Sequence, residues 1–309
     1  MKRIFIILSA VLLAASCYNE KPLTSELGTP FYPLEDSSDP IDNFIYNFYN
    51  QTGVTILYDY SDIDFQWNLN ATSLSNNVLV KPQKSVLQDG IEYVKQILLD
   101  CYDNDFRKKY FPIKIMLADT LYRSGYTNDN VYFGDKFCKY GRNYLAIGKI
   151  RQEYLSSVLH PDSSDPEAVA AANEIRNEAR GRVNGMLIGN LMVANGLLTI
   201  PDGFFEVSEG YYEYNVKRDN LIPEQVGIWF VDEENSLNYP MGTSNYMLTP
   251  SKEQDVADWV RVITTHSEAQ MKELMAGYDA LKNKYGIITK AVKDALGIDL
   301  QEIGNRYAL

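Results

Sequence analysis

The most informative hydrophobic pattern of the chain lies in a long segment that begins at Asp165. Asp165 and Pro166 are typical of a helix start, and the first half of the helix that they predict carries charge on one face. From Val183 onward the segment has almost no charge, which is typical of a helix that is buried on all sides. Gly185 and Gly189 lie inside it, although a glycine costs a helix about 1 kcal/mol relative to alanine. We therefore expect another part of the chain to pack very close to this helix.

Shorter patterns predict the other elements. Runs of β-branched and aromatic residues predict strands, and apolar residues at helical spacing predict amphipathic helices. The predicted strands are Val54–Tyr60, Pro112–Ala118 and Tyr144–Gly148, with an extended piece at Val78–Val80. The predicted helices are Pro40–Asn50, Ser85–Asp103, Ser251–Thr265, Ser267–Lys284, Ile287–Gly297 and Ile298–Tyr307. Asp39, Ser251 and Ser267 are the expected N-caps, and Gly286 is expected to end the helix that starts at Ser267.

The first 17 residues have the pattern of an export signal. Lys2 and Arg3 precede an apolar run from Ile4 to Leu13, and small residues then lead to Cys17. This order resembles a bacterial lipoprotein signal, in which Cys17 becomes the lipid-bearing first residue of the mature chain. The alternative is an ordinary secretory signal with an incidental cysteine. Because the apolar run is too short to cross a bilayer, we expect an anchored protein rather than a spanning one.

The remaining sequence is divided by its composition into a polar tether, residues 18–39, and a folded part, residues 40–309, which we interpret as a single domain. The formal net charge of −12 argues against nucleic acid as a partner and against a basic surface that docks on membranes. Cys101 and Cys138 are compatible with a disulfide in an exported protein, and equally with two separate buried thiols.

The chain contains 2 histidines, His160 and His266. Neither of them has a His, Cys or carboxylate partner one helical turn away on a shared face. We therefore interpret both as ordinary surface or partly buried histidines rather than metal ligands.

The buried helix and the segments after it carry a family resemblance. The helix is followed by a proline, Phe204 and an aromatic-rich segment, and a later helix contains Gln254, Asp255, Val256, Ala257 and Asp258. These features resemble the substrate import-associated zinc metallohydrolase lipoproteins of Bacteroidetes, a family of zinc metallopeptidases. The resemblance implies an α+β, zincin-like fold with a small mixed sheet, a central buried helix and a helical C-terminal half. In that family the central helix carries His-Glu-x-x-His, which supplies two zinc ligands and a general base.

The positions of this chain that match the family motif are Gly189, Asn190 and Val193, and none of these side chains can bind zinc or accept a proton. The resemblance also places Asp255 and Asp258 near the metal of an active member. Here we expect them to be residual carboxylates, with Asp258 on a solvated helix face. We therefore expect no catalytic residue, no bound zinc and no other cofactor.

An irregular segment, Glu209–Thr249, supplies the candidate ligand surface. Aromatic rings with interspersed polar groups are suited to stacking on a peptide or glycan. The candidates are Tyr211, Tyr212, Tyr214 and Trp229. The alternative is that most of the rings in this segment pack against the central helix as part of the core.

The signal sequence and the resemblance together predict a catalytically inactive lipoprotein of the cell envelope, anchored at the outer membrane. Its expected partners are a TonB-dependent transporter, the substrate-binding lipoprotein of that transporter, and a peptide or glycan ligand. Two alternatives stay open. One is an active metallopeptidase-like hydrolase with a non-standard site, and the other is a purely structural partner of an outer-membrane complex.

Overall fold

The structure is a computed structural model that describes residues 35–61, 64–65, 77–123, 136–216, 220–229 and 248–307. The predicted signal sequence, Cys17 and most of the predicted tether lie outside these residues. The described part contains small sheets and many helices, so the α+β class predicted for the chain is confirmed. Among the helices of this part, none combines the length and the apolar character needed to cross a bilayer.

The strands belong to two small sheets. In chain order they are β1 (Thr55–Leu57), β2 (Asn77–Val80), β3 (Lys114–Leu117), β4 (Thr120–Arg123), β5 (Cys138–Gly141) and β6 (Tyr144–Ile147). Within the described ranges, a 4-stranded sheet has the order β1-β3-β6-β5, and β2 and β4 form a separate antiparallel pair. In the order of the larger sheet, β1, β3 and β6 are parallel, whereas β5 runs antiparallel to β6 and lies at one edge of the sheet as described. The predicted small mixed sheet is thus confirmed, but β4 and β5 were not predicted.

The larger sheet is buried on both faces. Ile115 and Leu117 of β3 point into the main core, whereas Met116 between them belongs to a smaller cluster with Tyr60. The side chains of these three residues are fully buried, which explains why this part of β3 is a continuous apolar run rather than an alternating one.

The α-helices are the predominant secondary structure of the described chain. In chain order they are α1 (Pro40–Thr52), α2 (Leu87–Ile97), α3 (Asn104–Tyr110), α4 (Gln152–Leu159), α5 (Pro166–Asn184), α6 (Asp202–Glu206), α7 (Lys252–Thr265), α8 (Glu268–Leu274), α9 (Asp279–Leu296) and α10 (Leu300–Tyr307). A π-helical segment, Gly185–Met192, continues α5. The predicted caps are present: Asp39 and Asp165 accept bonds from first-turn amides, and Ser251 and Ser267 form complete capping boxes.

The prediction that Gly286 ends the helix starting at Ser267 is wrong. That helix is α8, which ends at Leu274, and Gly277 in the following turn has a φ of +83° that favours glycine. The next helix, α9, then passes straight through Gly286. A Cβ at Gly286 would have nothing within 4 Å, so no neighbour requires a glycine there.

A glycine ridge joins α5 and the π-helical segment to α7. The ridge consists of Gly181, Gly185 and Gly189, which recur every four residues and therefore share a helix face. A Cβ at Gly185 would lie 2.5 Å from the main-chain oxygen of Ala257, and one at Gly189 would lie 2.6 Å from the Cα of Ala257. Because the two backbones approach this closely, the predicted close packing on the buried helix is confirmed.

Candidate functional site

The candidate site is a cleft of about 330 Å³ between β5, the π-helical segment and the start of α7. Its volume is at the small end of the range for ligand pockets. Tyr140 lines it from β5, Met186 and Asn190 line it from the π-helical segment, and Glu253 and Asp258 line it from α7. Most of these residues were not predicted, because β5 is a short strand with two polar or small residues and gives no alternating pattern.

A hydrogen-bonded group of Tyr140, Asn190 and Glu253 forms part of the wall of the cleft. The Tyr140 hydroxyl donates to the carboxylate of Glu253. The Nδ2 atom of Asn190 donates to the main-chain oxygen of Glu253 at 3.0 Å. Burial, followed by the hydrogen bond to the Glu253 carboxylate, raises the pKa of Tyr140. Asn190 is itself buried, and its amide ties the π-helical segment to the first turn of α7.

Two arginines that share one carboxylate form another part of the cleft. Arg182 Nε donates to Oε1 of Glu178 at 2.6 Å, and Arg261 Nη2 donates to the same oxygen. Arg261 Nε also donates to Oε2 of Glu178 at 3.3 Å. The Arg182 guanidinium lies 5.4 Å from the ring centre of Phe137. The cleft therefore offers fixed cations beside carboxylates, which suits a ligand that carries both kinds of charge.

The three positions that match the family motif have different surroundings. Gly189 belongs to the glycine ridge and faces the main chain of Ala257. Asn190 is occupied by its bond to Glu253, and Val193 is half-buried against the main core. A histidine at position 189 would overlap the backbone of α7, because even its Cβ would lie 2.6 Å from a Cα atom. The first zinc ligand of the family pattern therefore does not fit this fold.

The prediction that Asp258 lies on a solvated helix face is wrong, because Asp258 is 8% exposed and lines the cleft. Asp255, one turn earlier, is fully buried and is not among the residues that line the cleft. Its Oδ2 atom lies 2.5 Å from the Nζ of Lys284 and accepts a bond of 2.9 Å from the hydroxyl of Tyr212. The two carboxylates share a helix but not a site.

The Asp255–Lys284 pair is a buried ion pair with opposing influences on its charge. Burial raises the pKa of Asp255 and lowers the pKa of Lys284, because it penalises both charged forms. The attraction between the two side chains and the bond from Tyr212 oppose those shifts. Lys284 also lies 4.4 Å from the ring centre of Phe204, which adds a cation–π contact. The pair joins α7 to α9 inside the core.

The aromatic candidates for a ligand surface are placed apart from the cleft, and none of the four is among its lining residues. Tyr211 is 37% exposed and its ring lies 5.8 Å from that of Tyr214. The Tyr212 hydroxyl donates a hydrogen bond to Asp255, and Trp229 is half-buried against Trp259 with ring centres 5.3 Å apart. Of the four, Tyr211 is exposed and the other three are half-buried, and their role in binding stays a prediction.

In the part of the chain that the structure describes, no group of three or more His, Cys, Asp or Glu side chains is arranged to hold a metal ion. His160 lies on the surface with its Nε2 atom 3.1 Å from Asp89, and His266 is half-buried. Cys101 and Cys138 are both buried, and within the described residues they do not form a disulfide. A catalytic zinc needs three protein ligands and an open position. The described residues do not fit such a site.

The fold shows a distant likeness to one solved structure. That structure is from Bacteroides caccae and is described as a "putative zinc-binding metallo-peptidase". The TM-score is 0.46 and the identity is 15%, over 88% of this chain and 94% of that chain. No family model and no curated protein matches the sequence. At this TM-score the likeness supports no conclusion about the family, the metal content or the reaction of this chain.

Proposed function

We propose that this protein is a non-catalytic binding protein with a zincin-like fold, degenerate at the position of the metal site. The observation that supports the proposal is the contact between Gly189 and the main chain of Ala257. A metal-dependent hydrolase would need a ligand side chain on this face of the helix. Here the backbone of α7 fills that space, and Asn190 donates to a main-chain oxygen instead of acting as a base.

The proposed ligand site is the cleft between β5 and α7, and the ligand that suits it best is a peptide. β5 lies at one edge of the larger sheet within the described residues, and an extended peptide can pair with an edge strand through main-chain hydrogen bonds. Tyr140 supplies a ring, while Glu253 and the arginines around Glu178 supply charges of both signs. A glycan is the alternative ligand, since it would also use a ring and polar groups.

Replacing Tyr140 by alanine is expected to weaken ligand binding by about tenfold or more, because a half-buried tyrosine that lines a binding site is a frequent hot spot. Peptide and glycan arrays probed with the wild-type protein would supply the ligand, and titration calorimetry would give the affinity of each variant. Thermal unfolding of each variant separates lost binding from lost folding.

The matched control is Tyr211→Ala, which removes an exposed tyrosine outside the cleft. If Tyr211→Ala abolishes binding and Tyr140→Ala does not, the ligand surface is the aromatic segment and the cleft proposal is wrong. Elemental analysis of the same preparation, purified without chelators, tests the non-catalytic part. One zinc per chain, lost together with a peptidase activity, contradicts it.

We propose further that Cys17 carries a lipid that anchors the protein at the outer membrane, beside a TonB-dependent transporter and its substrate-binding lipoprotein. The support is the signal pattern that ends at Cys17. Replacing Cys17 by alanine is expected to move the protein from the membrane fraction to the soluble fraction. Fractionation after a high-salt wash measures this, and a variant that still sediments with the membranes contradicts the anchor.

A further inference from the structure

A second cavity, of about 390 Å³, lies where the end of α2, the middle of α5 and the end of α10 meet. Three arginines line it, Arg176 and Arg180 from α5 and Arg306 from α10. The acidic residue among its lining is Asp100. The cavity is therefore a concentration of positive charge in a chain whose formal net charge is −12. Nothing in the proposed function uses it.

Arg180 is the buried centre of this cluster, with 7% of its surface exposed. Its Nε and Nη2 atoms donate to the main-chain oxygen of Gln96 at 3.3 Å each, and Nη1 donates to Oδ1 of Asn177 at 2.9 Å. The ring of Tyr307 lies 3.9 Å from its Cζ atom. These partners satisfy donors but bring no negative charge. A buried charge that is not paired with an opposite charge is costly.

The other two arginines add positive charge to the cavity and do not neutralise the charge of Arg180. Arg176 precedes Arg180 by one helical turn, and like charges at this spacing destabilise a helix. Arg176 donates from Nη1 to Gln96 Oε1 at 3.1 Å and from Nη2 to the side chain of Asn173, and Arg306 donates from Nη1 to the main-chain oxygen of Asp100 at 3.2 Å. A guanidinium has five N–H donors, so both keep most of theirs available.

No carboxylate within the described ranges forms an ion pair with any of these three guanidiniums. The wall of the cavity between them carries neutral hydrogen-bonding groups, from Gln96 and Asn173. Three cations around one cavity, lined by amides and an aromatic ring, have the composition of a binding site for an anion. An anion placed there would supply the charge that the protein itself does not.

We propose that this cavity binds a tetrahedral oxyanion, namely the phosphate or sulfate group of an ester. A tetrahedral group presents three free oxygens, which can be shared among guanidiniums that come from two helices, whereas a carboxylate presents two oxygens in one plane. Arg180 is the buried member of the cluster, and Arg176 and Arg306 are its more accessible members. The ester can belong to a soluble molecule or to a lipid headgroup, since both present the same chemistry.

The test uses inorganic phosphate and inorganic sulfate as probes, titrated at low ionic strength into the wild-type protein and into the double variant Arg176→Gln/Arg306→Gln. The buried Arg180 is kept so that the variant folds. The double variant is expected to bind both probes at least about tenfold more weakly, because two charge-assisted sets of hydrogen bonds are lost. Without a probe, its midpoint of thermal unfolding is expected to equal or exceed that of the wild type, because a repulsion has been removed.

A matched control, Lys108→Gln/Arg142→Gln, removes the same amount of charge at two exposed positions outside the cavity. The control is expected to bind as the wild type does. The proposal is overturned if the wild type binds neither probe, if acetate binds as tightly as sulfate, or if the control loses as much affinity as the double variant. A hexose phosphate, and phosphatidylcholine vesicles with and without phosphatidic acid, then distinguish a soluble ester from a headgroup. Binding to either supports the oxyanion site.

Discussion

Replacing Lys284 by methionine is expected to lower the free energy of unfolding by about 3–5 kcal/mol, the range for breaking a buried ion pair from one side. Lys284 and Asp255 both have essentially no exposed surface, and their charged atoms lie 2.5 Å apart. Without the ammonium group, Asp255 keeps one bond, from Tyr212, and loses the partner that compensates its buried charge. The carboxylate must then remain unpaired or take up a proton, and either outcome destabilises the folded state. Urea denaturation of the wild type and the variant measures the change.

The matched control is Lys282→Met, which removes an exposed lysine from the same helix. Lys282 pairs with Asp279 in solvent, and an exposed pair of this kind contributes at most about 1 kcal/mol. The double variant Lys284→Met/Asp255→Leu is expected to recover a large part of the loss, because a complete buried pair can often be replaced by apolar side chains. If the free energy of unfolding of Lys284→Met falls by less than about 1 kcal/mol, the result contradicts the structural role of the pair.

Replacing Gly189 by alanine is expected to destabilise the protein by about 1–3 kcal/mol, the cost of overpacking a filled core. Helix propensity alone gives the opposite sign, since alanine is favoured over glycine in a helix by about 1 kcal/mol. The steric effect prevails because the new Cβ would lie 2.6 Å from a backbone atom of Ala257, which cannot rotate away. Thermal or urea unfolding of the variant shows whether it is less stable than the wild type, as the steric effect predicts, or more stable, as helix propensity predicts.

Gly286→Ala provides the matched comparison, because Gly286 also lies inside a helix but has no neighbour within 4 Å of a Cβ. For Gly286→Ala we expect the free energy of unfolding to rise by about 0.5–1 kcal/mol. If both variants are stabilised equally, the close approach of α5 and α7 at the glycine ridge is refuted. Gly189→His is expected to cost more than Gly189→Ala, because the imidazole has no space beyond its Cβ.

Features that depend on a few neighbouring residues could be predicted from the sequence. The N-caps at Asp39, Asp165, Ser251 and Ser267 are present, because a cap depends on one side chain and the amides of the next turn. The close packing at Gly189 could also be predicted, because a glycine inside a helix is unfavourable unless a neighbour requires it. What the sequence could not show was which element that neighbour belonged to.

The cleft and the buried pair depend on contacts between distant parts of the chain, and they were missed for that reason. Asp255 and Lys284 are 29 residues apart, and no local pattern connects them. Tyr140 and Glu253 are 113 residues apart, and Tyr140 lies on a strand too short to be recognised. The burial of Asp258 has the same origin, because a helix face is solvated or covered according to what packs on it.

The glycine ridge also limits how this sequence can change during evolution. Position 189 accepts a larger side chain only after α7 has moved away, and α7 moves only if Gly181 and Gly185 lose their contacts as well. A lineage that carries this ridge would therefore have to pass through less stable intermediates before a histidine at position 189 could be retained. The effect of a substitution at position 189 is therefore expected to depend on earlier substitutions in α7. Selection can change the cleft beside the ridge, whereas a single substitution to histidine at position 189 is expected to be disfavoured.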